Sequence, residues 1–254
     1  FQDLSREWLK RHLPILAGVF TLFLVISFMY MGGHPLEKIL SAYEFRDFTL
    51  TQRVLTELRV VILYLTLLIF PHPNRLNLDY DFPLSYSLFN PFTTFVCLFL
   101  IIVMIGLGLF LAKKQRLISF GIFWFFGNLV IESSIIPLAI IFEHRNYLPS
   151  MFLFLPIATG FKWLYDYCAA KKQPLTGILF GLLVLLMVSL GIGTYTRNLA
   201  WATEVSLWRD AMKKAPQSAR PLTNLAWQMA YGPAATSSQY NKALRLYEKA
   251  RTLS

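Results

Sequence analysis

Cysteine is nearly missing from this chain of 254 residues: Cys97 and Cys168 are the only two. Both fall in or beside apolar stretches, which argues against a disulfide framework or a Cys-based metal site. Charge is scarce as well, at 15% of residues, where a soluble domain carries about 25%. There is no glycine-rich phosphate loop, no Ser-His-Asp order and no Cys/His ligand spacing. His12, His34 and His72 stand alone at the edges of apolar stretches, and only His144 lies in a charged cluster. The net charge is +10, but the basic residues are dispersed and no basic stripe alternates with aromatics, so nucleic acid is not an expected partner.

What is present is apolar surface, 56% of residues, more than one soluble core of this length needs. It is concentrated at Leu13–Met31, Thr93–Ala112, Leu117–Ile131, Tyr147–Tyr165 and Leu175–Tyr195. Each is close to the roughly 20 residues that cross a bilayer, and helix is the state that satisfies the backbone there. A further stretch, Val54–Phe70, contains Glu57 and Arg59. Basic residues cluster before the first stretch (Arg6, Lys10, Arg11) and in two turns (Lys113, Lys114, Arg116; Lys162, Lys171, Lys172), against Asp3, Glu7 and Asp166 alone. By the positive-inside rule those segments are cytoplasmic. The loops between them hold Lys38, Arg46, Arg53, Arg59, Arg75 and Arg145 against eight acids and lie outside. On that count Val54–Phe70 does not cross but lies in the interface or re-enters. The expected fold is all-α: a polytopic membrane bundle over residues 1–197, with about five crossings and one interfacial or re-entrant helix, then an extracytoplasmic tail, 198–254.

The tail carries a repeat pattern. Trp208, Ala211 and Pro216 match second-helix positions of a tetratricopeptide repeat, and Leu222, Leu225, Ala226 and Met229 match the next unit's first helix. Ala243, Tyr247 and Ala250 complete it after extra residues in Gly232–Gln239. One and a half repeats are too few to bury their own faces. We therefore expect the solenoid to continue beyond Ser254 and, because the chain opens on Phe1 without a Met, further sequence before it.

Two outer segments hold chemistry. Glu132–Ser150 is apolar yet contains Glu132, Glu143, His144, Arg145 and Tyr147, and ionisable residues near lipid mark a pathway, a pairing or a site. Arg145 can fork two hydrogen bonds onto a phosphate, with Tyr147 donating a third. Glu132 or Glu143 would accept a hydroxyl proton if desolvation raised its pKa. The structural alternative is a loop salt bridge between Glu143 and Arg145. In Arg75–Pro83, Asp79 and Asp81 have the D-x-D spacing that can hold a divalent cation beside a phosphate, and equally the composition of a solvated turn. Arg53 and Glu57, four apart on a helix, are expected to pair.

Glu143–Ser150, EHRNYLPS, resembles the ER-x-LY-[IL]-PS signature of the transmembrane and tetratricopeptide repeat-containing proteins and their bacterial relatives. Leu50–Pro83 is similar to that family's outer segment, and Glu204–Trp208, Pro216 and Asn224–Ala226 to its repeat region. The resemblance spans about residues 45–254 in order. It implies a glycosyltransferase of the multi-span C superfamily. Such an enzyme moves a sugar from a polyprenyl phosphate to a Ser or Thr hydroxyl of a protein on the outer face. Carried over by position, Arg145 and Tyr147, with Arg53 as a further candidate, would bind the donor phosphate, and Glu143 would line the same pocket. Asp79 and Asp81 would be secondary candidates there for a divalent cation. The repeats would hold the acceptor protein, with Trp208, Asn224 and Tyr247 as contact candidates. The family's catalytic acid lies in the first outer loop, and Glu37, Glu44 and Asp47 here have the wrong context, so it is expected upstream of Phe1. Glu132 and Glu143 are the substitutes within the chain. The absence of Asn-x-Ser/Thr sites leans toward a bacterial plasma membrane with the repeats outside the cytoplasm. The rival reading is a non-catalytic membrane scaffold whose repeats dock a partner in an envelope or filament assembly. A transporter is disfavoured, because no inverted repeat is visible.

Overall fold

The computed structural model describes residues 6–30, 32–171, 175–232 and 236–253. Several residues used above (Asp3, Met31, Lys172 and 233–235) lie outside the described residues. Regular structure among the described residues is helical, with eleven α-helices and three short 3-10 turns. The chain divides into two compact units, Phe1–Leu50 and Thr51–Ser254.

In the first unit, α1 (Arg6–Tyr30) contains an apolar run, Arg11–Tyr30, long enough to cross a membrane. Leu13, Val19, Phe20, Phe23 and Ile26 are all more than half exposed. The helix stops at glycine: Gly32 and Gly33 have φ of 71° and 79°, a left-handed backbone that costs glycine little. Gly33 N donates to Phe28 O at 3.1 Å, closing the last turn. A short α2 (Pro35–Ser41) starts on proline, which lacks the N–H that a first helical position leaves unused. A 3-10 turn, Ala42–Phe45, follows.

The second unit is organised around α3 (Leu50–Ile69). Val60, Val61, Tyr64, Leu65 and Leu67 form the core with Phe125, Leu129 and Ile141. After it come α4 (Thr93–Leu111), α5 (Arg116–Glu132), a four-residue α6 (Tyr147–Ser150), α7 (Phe154–Ala170) and α8 (Leu175–Ala200), of which α4 and α5 lend Ile101, Met104, Phe125 and Leu129 to the α3 core. The tail forms α9 (Glu204–Lys214), α10 (Ala219–Tyr231) and α11 (Ser237–Arg251). Helices neighbouring in sequence pack on each other: α4 on α5, α5 on α7, α7 on α8, and α9 on α10 on α11. Small residues set the closest approaches. Ser119 Oγ donates to Gly108 O at 2.8 Å, and a Cβ on Gly108 would come within 3.2 Å of Ile122 and Phe123. This is how helices meet where no hydrophobic drive separates lipid from protein.

Among the described residues, three helices are long and apolar enough to span a membrane: α1, α4 and α8. No residue of α8 is buried, and Leu185, Leu186, Met187 and Ile192 are more than half exposed. Such a surface is stable against hydrocarbon and not against water. The expected continuous helix Tyr147–Tyr165 is instead broken: α6 ends at Ser150 and α7 starts at Phe154. Pro156 explains the restart. Proline is tolerated in a first turn but would remove a backbone bond from a helix interior. Of the ten residues read as a repeat pattern, Ala211, Leu222, Leu225, Ala226, Ala243 and Ala250 are buried, Trp208, Met229 and Tyr247 are half-buried, and Pro216 is exposed. Thr203 and Thr236 cap α9 and α11, each in a reciprocal capping box.

Candidate functional site

The first turns of α3, charged in the sequence, form an enclosed polar site. Arg53 and Glu57 are 0% and 2% exposed and pair at 2.9 Å. One helical turn separates them, which sets both groups on one face. Arg53 also gathers the segment after α5. Its Nε donates to Ser134 O at 3.1 Å, Nη2 to Glu132 O at 2.7 Å, and Nη1 to Leu138 O. Residues 133–142 lack helical structure, so these carbonyls have no ladder, and the planar guanidinium supplies the donors they need. Further along α3, Tyr64 Oη donates to Phe142 O at 3.1 Å and accepts from Phe142 N at 3.0 Å. Asn146 Nδ2 donates to Tyr64 O at 3.3 Å.

The candidate loop ends in a 3-10 turn, Glu143–Asn146. Arg145 turns inward, its side chain 7% exposed, pairing with Glu132 at 3.3 Å and donating to Ala139 O at 2.6 Å. Glu143 faces another way, accepting from Tyr80 Oη at 2.6 Å and from Asn77 N. The expected Glu143–Arg145 salt bridge is therefore not formed. Residues two apart in a helical turn point away from each other, and each finds a partner from a distant segment. Burial and the adjoining Glu143 carboxylate hold the Tyr80 phenol well above its ordinary pKa. Tyr147, 87% exposed, does not join Arg145 but stands at the rim with the exposed His144.

Arg53, Glu132 and Arg145 thus form one cluster, whereas Tyr147, Asp79 and Asp81 lie outside it. Asp79 accepts from Ser218 Oγ at 2.5 Å and sits 4.0 Å from Arg220, while Asp81 is exposed. The pair does not converge, and among the described residues no group of three or more His, Cys, Asp or Glu is placed to hold a metal ion.

A set of contacts with no clear sequence signal joins the tail to this region. Lys214 Nζ donates to Pro73 O at 2.8 Å, Leu76 O at 2.9 Å and Asp210 Oδ2 at 2.7 Å. Asp210 also receives Arg197 at 2.7 Å. Arg220 lies over the rings of Phe142 and Trp208, at 5.8 and 5.9 Å. The i, i+4 spacing of Asp210 and Lys214 was the one readable hint. Within the tail, a cavity of about 480 Å³ is lined by Glu204, Val205, Arg209, Gln228, Met229 and Gln239. Trp208, Asn224 and Tyr247 are not among its described lining residues. Asn224 donates to Arg220 O at 2.9 Å and Tyr247 is half-buried. A second cavity, about 330 Å³, lies between Phe70–Asn74 and the C-terminal half of α8, Leu186–Thr196.

Comparison of the chain with protein-family profiles, with curated proteins and with solved structures finds no match.

Proposed function

We propose that the chain is part of a membrane glycosyltransferase that moves a sugar from a polyprenyl phosphate to a protein hydroxyl, with the tail as a tetratricopeptide solenoid that holds the acceptor. The observation that carries this reading is convergence. Segments far apart in sequence that bear the family-like pattern are tied together by three sets of contacts: Arg53 with Glu132–Leu138, Glu143 with Asn77 and Tyr80, and Lys214 and Ser218 with Pro73–Asp79. The contacts at the two ends of α3 fit this reading. Counting α4, α5, α7 and α8 as successive crossings puts the start of α4 and the end of α8 on one side. Thr56 of α3 bonds Ser85, which bonds Thr94 at the start of α4. Pro73, just beyond the other end of α3, lies against Gly193 near the end of α8. On that count α3 is tied at both ends to the same side, which supports the interfacial reading drawn from the charge count.

In the reaction the acceptor hydroxyl oxygen bonds the anomeric carbon. The bond from that carbon to the phosphate oxygen breaks, and the electron pair leaves with the phosphate. The hydroxyl proton passes to a carboxylate. Arg145 stabilises the departing phosphate, with the exposed Tyr147 available to a phosphate that reaches out from it, and Glu132, 40% exposed beside Arg145, is this chain's candidate proton acceptor. The test is sugar transfer by the full protein from a polyprenyl-phosphate donor. Arg145→Ala should lower the rate by roughly 10²–10³-fold. Tyr147→Phe, at an exposed site, should lower it without moving the unfolding temperature. Full activity in Arg145→Ala removes that residue from the site.

One observation favours a scaffold instead: the donors of Arg53 and much of Arg145 are spent on backbone carbonyls. On that reading the two arginines only shape the loop. No transfer by the intact protein, together with a partner retained by the tail, would decide for it.

A further inference from the structure

Between Ser85 and α4 the chain makes a tight hairpin. Tyr86 N donates to Asn90 O at 2.8 Å, and Ser87 and Asn90 bridge each other. Its base is fixed. Ser85 and Thr94 are fully buried, Thr94 Oγ1 donates to Ser85 Oγ at 2.9 Å, and Ser85 N donates to Thr56 Oγ1 at 2.8 Å. Arg59 Nη1 donates to Pro83 O at 2.8 Å. Its tip is the reverse, an open aromatic cluster. Phe89, Phe92 and Phe95 stack with centroids 5.3–6.5 Å apart, and Tyr86, Phe89 and Phe92 are 64%, 62% and 60% exposed.

We propose that this hairpin is a membrane-inserted surface whose partner is the lipid bilayer at the boundary between headgroups and acyl chains. The argument is continuity. Phe92, Val96, Phe99 and Val103 follow at spacings of four, three and four, with Phe95 beside Val96, and all are exposed, so they line one face of α4. That face belongs to a helix long and apolar enough to cross a membrane, and the hairpin rings stand at its head. Four rings gathered on a polar base bolted to the protein form a rigid wedge with an apolar body and one hydroxyl, on Tyr86. Amphipathic aromatic groups of this kind settle at the interface. The wedge fixes the depth of α3 as well, since the Thr56 turn hangs from the hairpin's base.

The test uses the full chain with Cys97→Ser and Cys168→Ala, reconstituted in phosphatidylcholine vesicles and carrying one nitroxide label at Phe89→Cys or Phe92→Cys. Leu185→Cys in α8 serves as the lipid reference and Gln217→Cys in the tail as the water reference. Both hairpin labels should collide with dissolved oxygen several-fold more often than with a neutral nickel complex, as at residue 185. The ratio should invert at residue 217. Nickel accessibility at 89 and 92 equal to that at 217 would overturn the proposal. So would exclusion of both reagents, which means that protein rather than lipid covers the rings. A lipid-like reading at 185 in either case separates failure of the wedge from failure of the membrane assignment.

Discussion

Helix α3 has 20 residues and encloses an arginine and a glutamate; α8 has 26 and encloses nothing. A soluble protein sorts residues the other way, with charge outside and leucine inside. Here the enclosed polar groups meet backbone that has no helical ladder of its own, and the uncovered apolar groups meet a medium that demands no hydrogen bonds. The lesson is that polarity in this chain follows the supply of partners. Where residues 133–142 run without regular structure, they draw in Arg53, Tyr64 and Arg145. Where a helix satisfies itself, as in α8, its outside can be wholly hydrocarbon.

The comparison breaks or sharpens under substitution, and the same cation has opposite effects in the two helices. Removing one from α3 is the largest change. Arg53→Ala strands Glu57 and frees three carbonyls, and should cost about 3–5 kcal/mol. Replacing both partners, Arg53→Met with Glu57→Leu, should cost less than that single change. Thermal unfolding in detergent reads both, and an unshifted midpoint in Arg53→Ala would mean that the enclosed pair is not holding the loop. Adding a cation to α8 comes next. Leu185→Lys should raise the insertion free energy by about 3 kcal/mol, seen as a smaller fraction of chain that resists alkaline extraction. Full resistance would mean that this face is not in lipid. The smallest effect belongs to Tyr80→Phe, which removes the hydroxyl that bonds Glu143 and also meets Arg75 O and Asn77 N, at a cost of about 1–2 kcal/mol. The Tyr80 phenol is raised above its ordinary value, so its proton binds more tightly in the folded state. Its contribution is complete below pH about 10 and fades above it, and wild type and variant should converge in stability there. A gap that widens with pH would contradict the Tyr80–Glu143 bond.

Local spacing was legible. Runs of apolar residues located α1, α4 and α8, and the interval of four announced the Arg53–Glu57 pair. The burial of that pair was not legible, because enclosure depends on residues 79–85 positions away that supply the carbonyls. The partner of Arg145 was misassigned for a related reason. Glu143 is its nearest acid in the chain, but the 3-10 turn aims the two apart, and Glu132 arrives from the end of α5. The break before α7 could have been read from Pro156, yet the apolar run around it masked the signal. The Lys214 contacts with Pro73 and Leu76 left no trace, since a lysine that donates to backbone carbonyls selects no residue type on the other side.

By itself, then, the sequence determined what each segment needs: apolar length demands a bilayer, four-residue spacing pairs charges, and glycine or proline ends a helix. Those are properties of neighbours within a few residues, and short-range sterics and solvation decide them. Only the tertiary structure decided which needs meet. It brought Arg53 to the loop after α5, split Glu143 from Arg145, and set the tail's Lys214 on Pro73 and Leu76. Each of these contacts satisfies a donor or acceptor with a group from far along the chain, and that matching is a property of the packed whole.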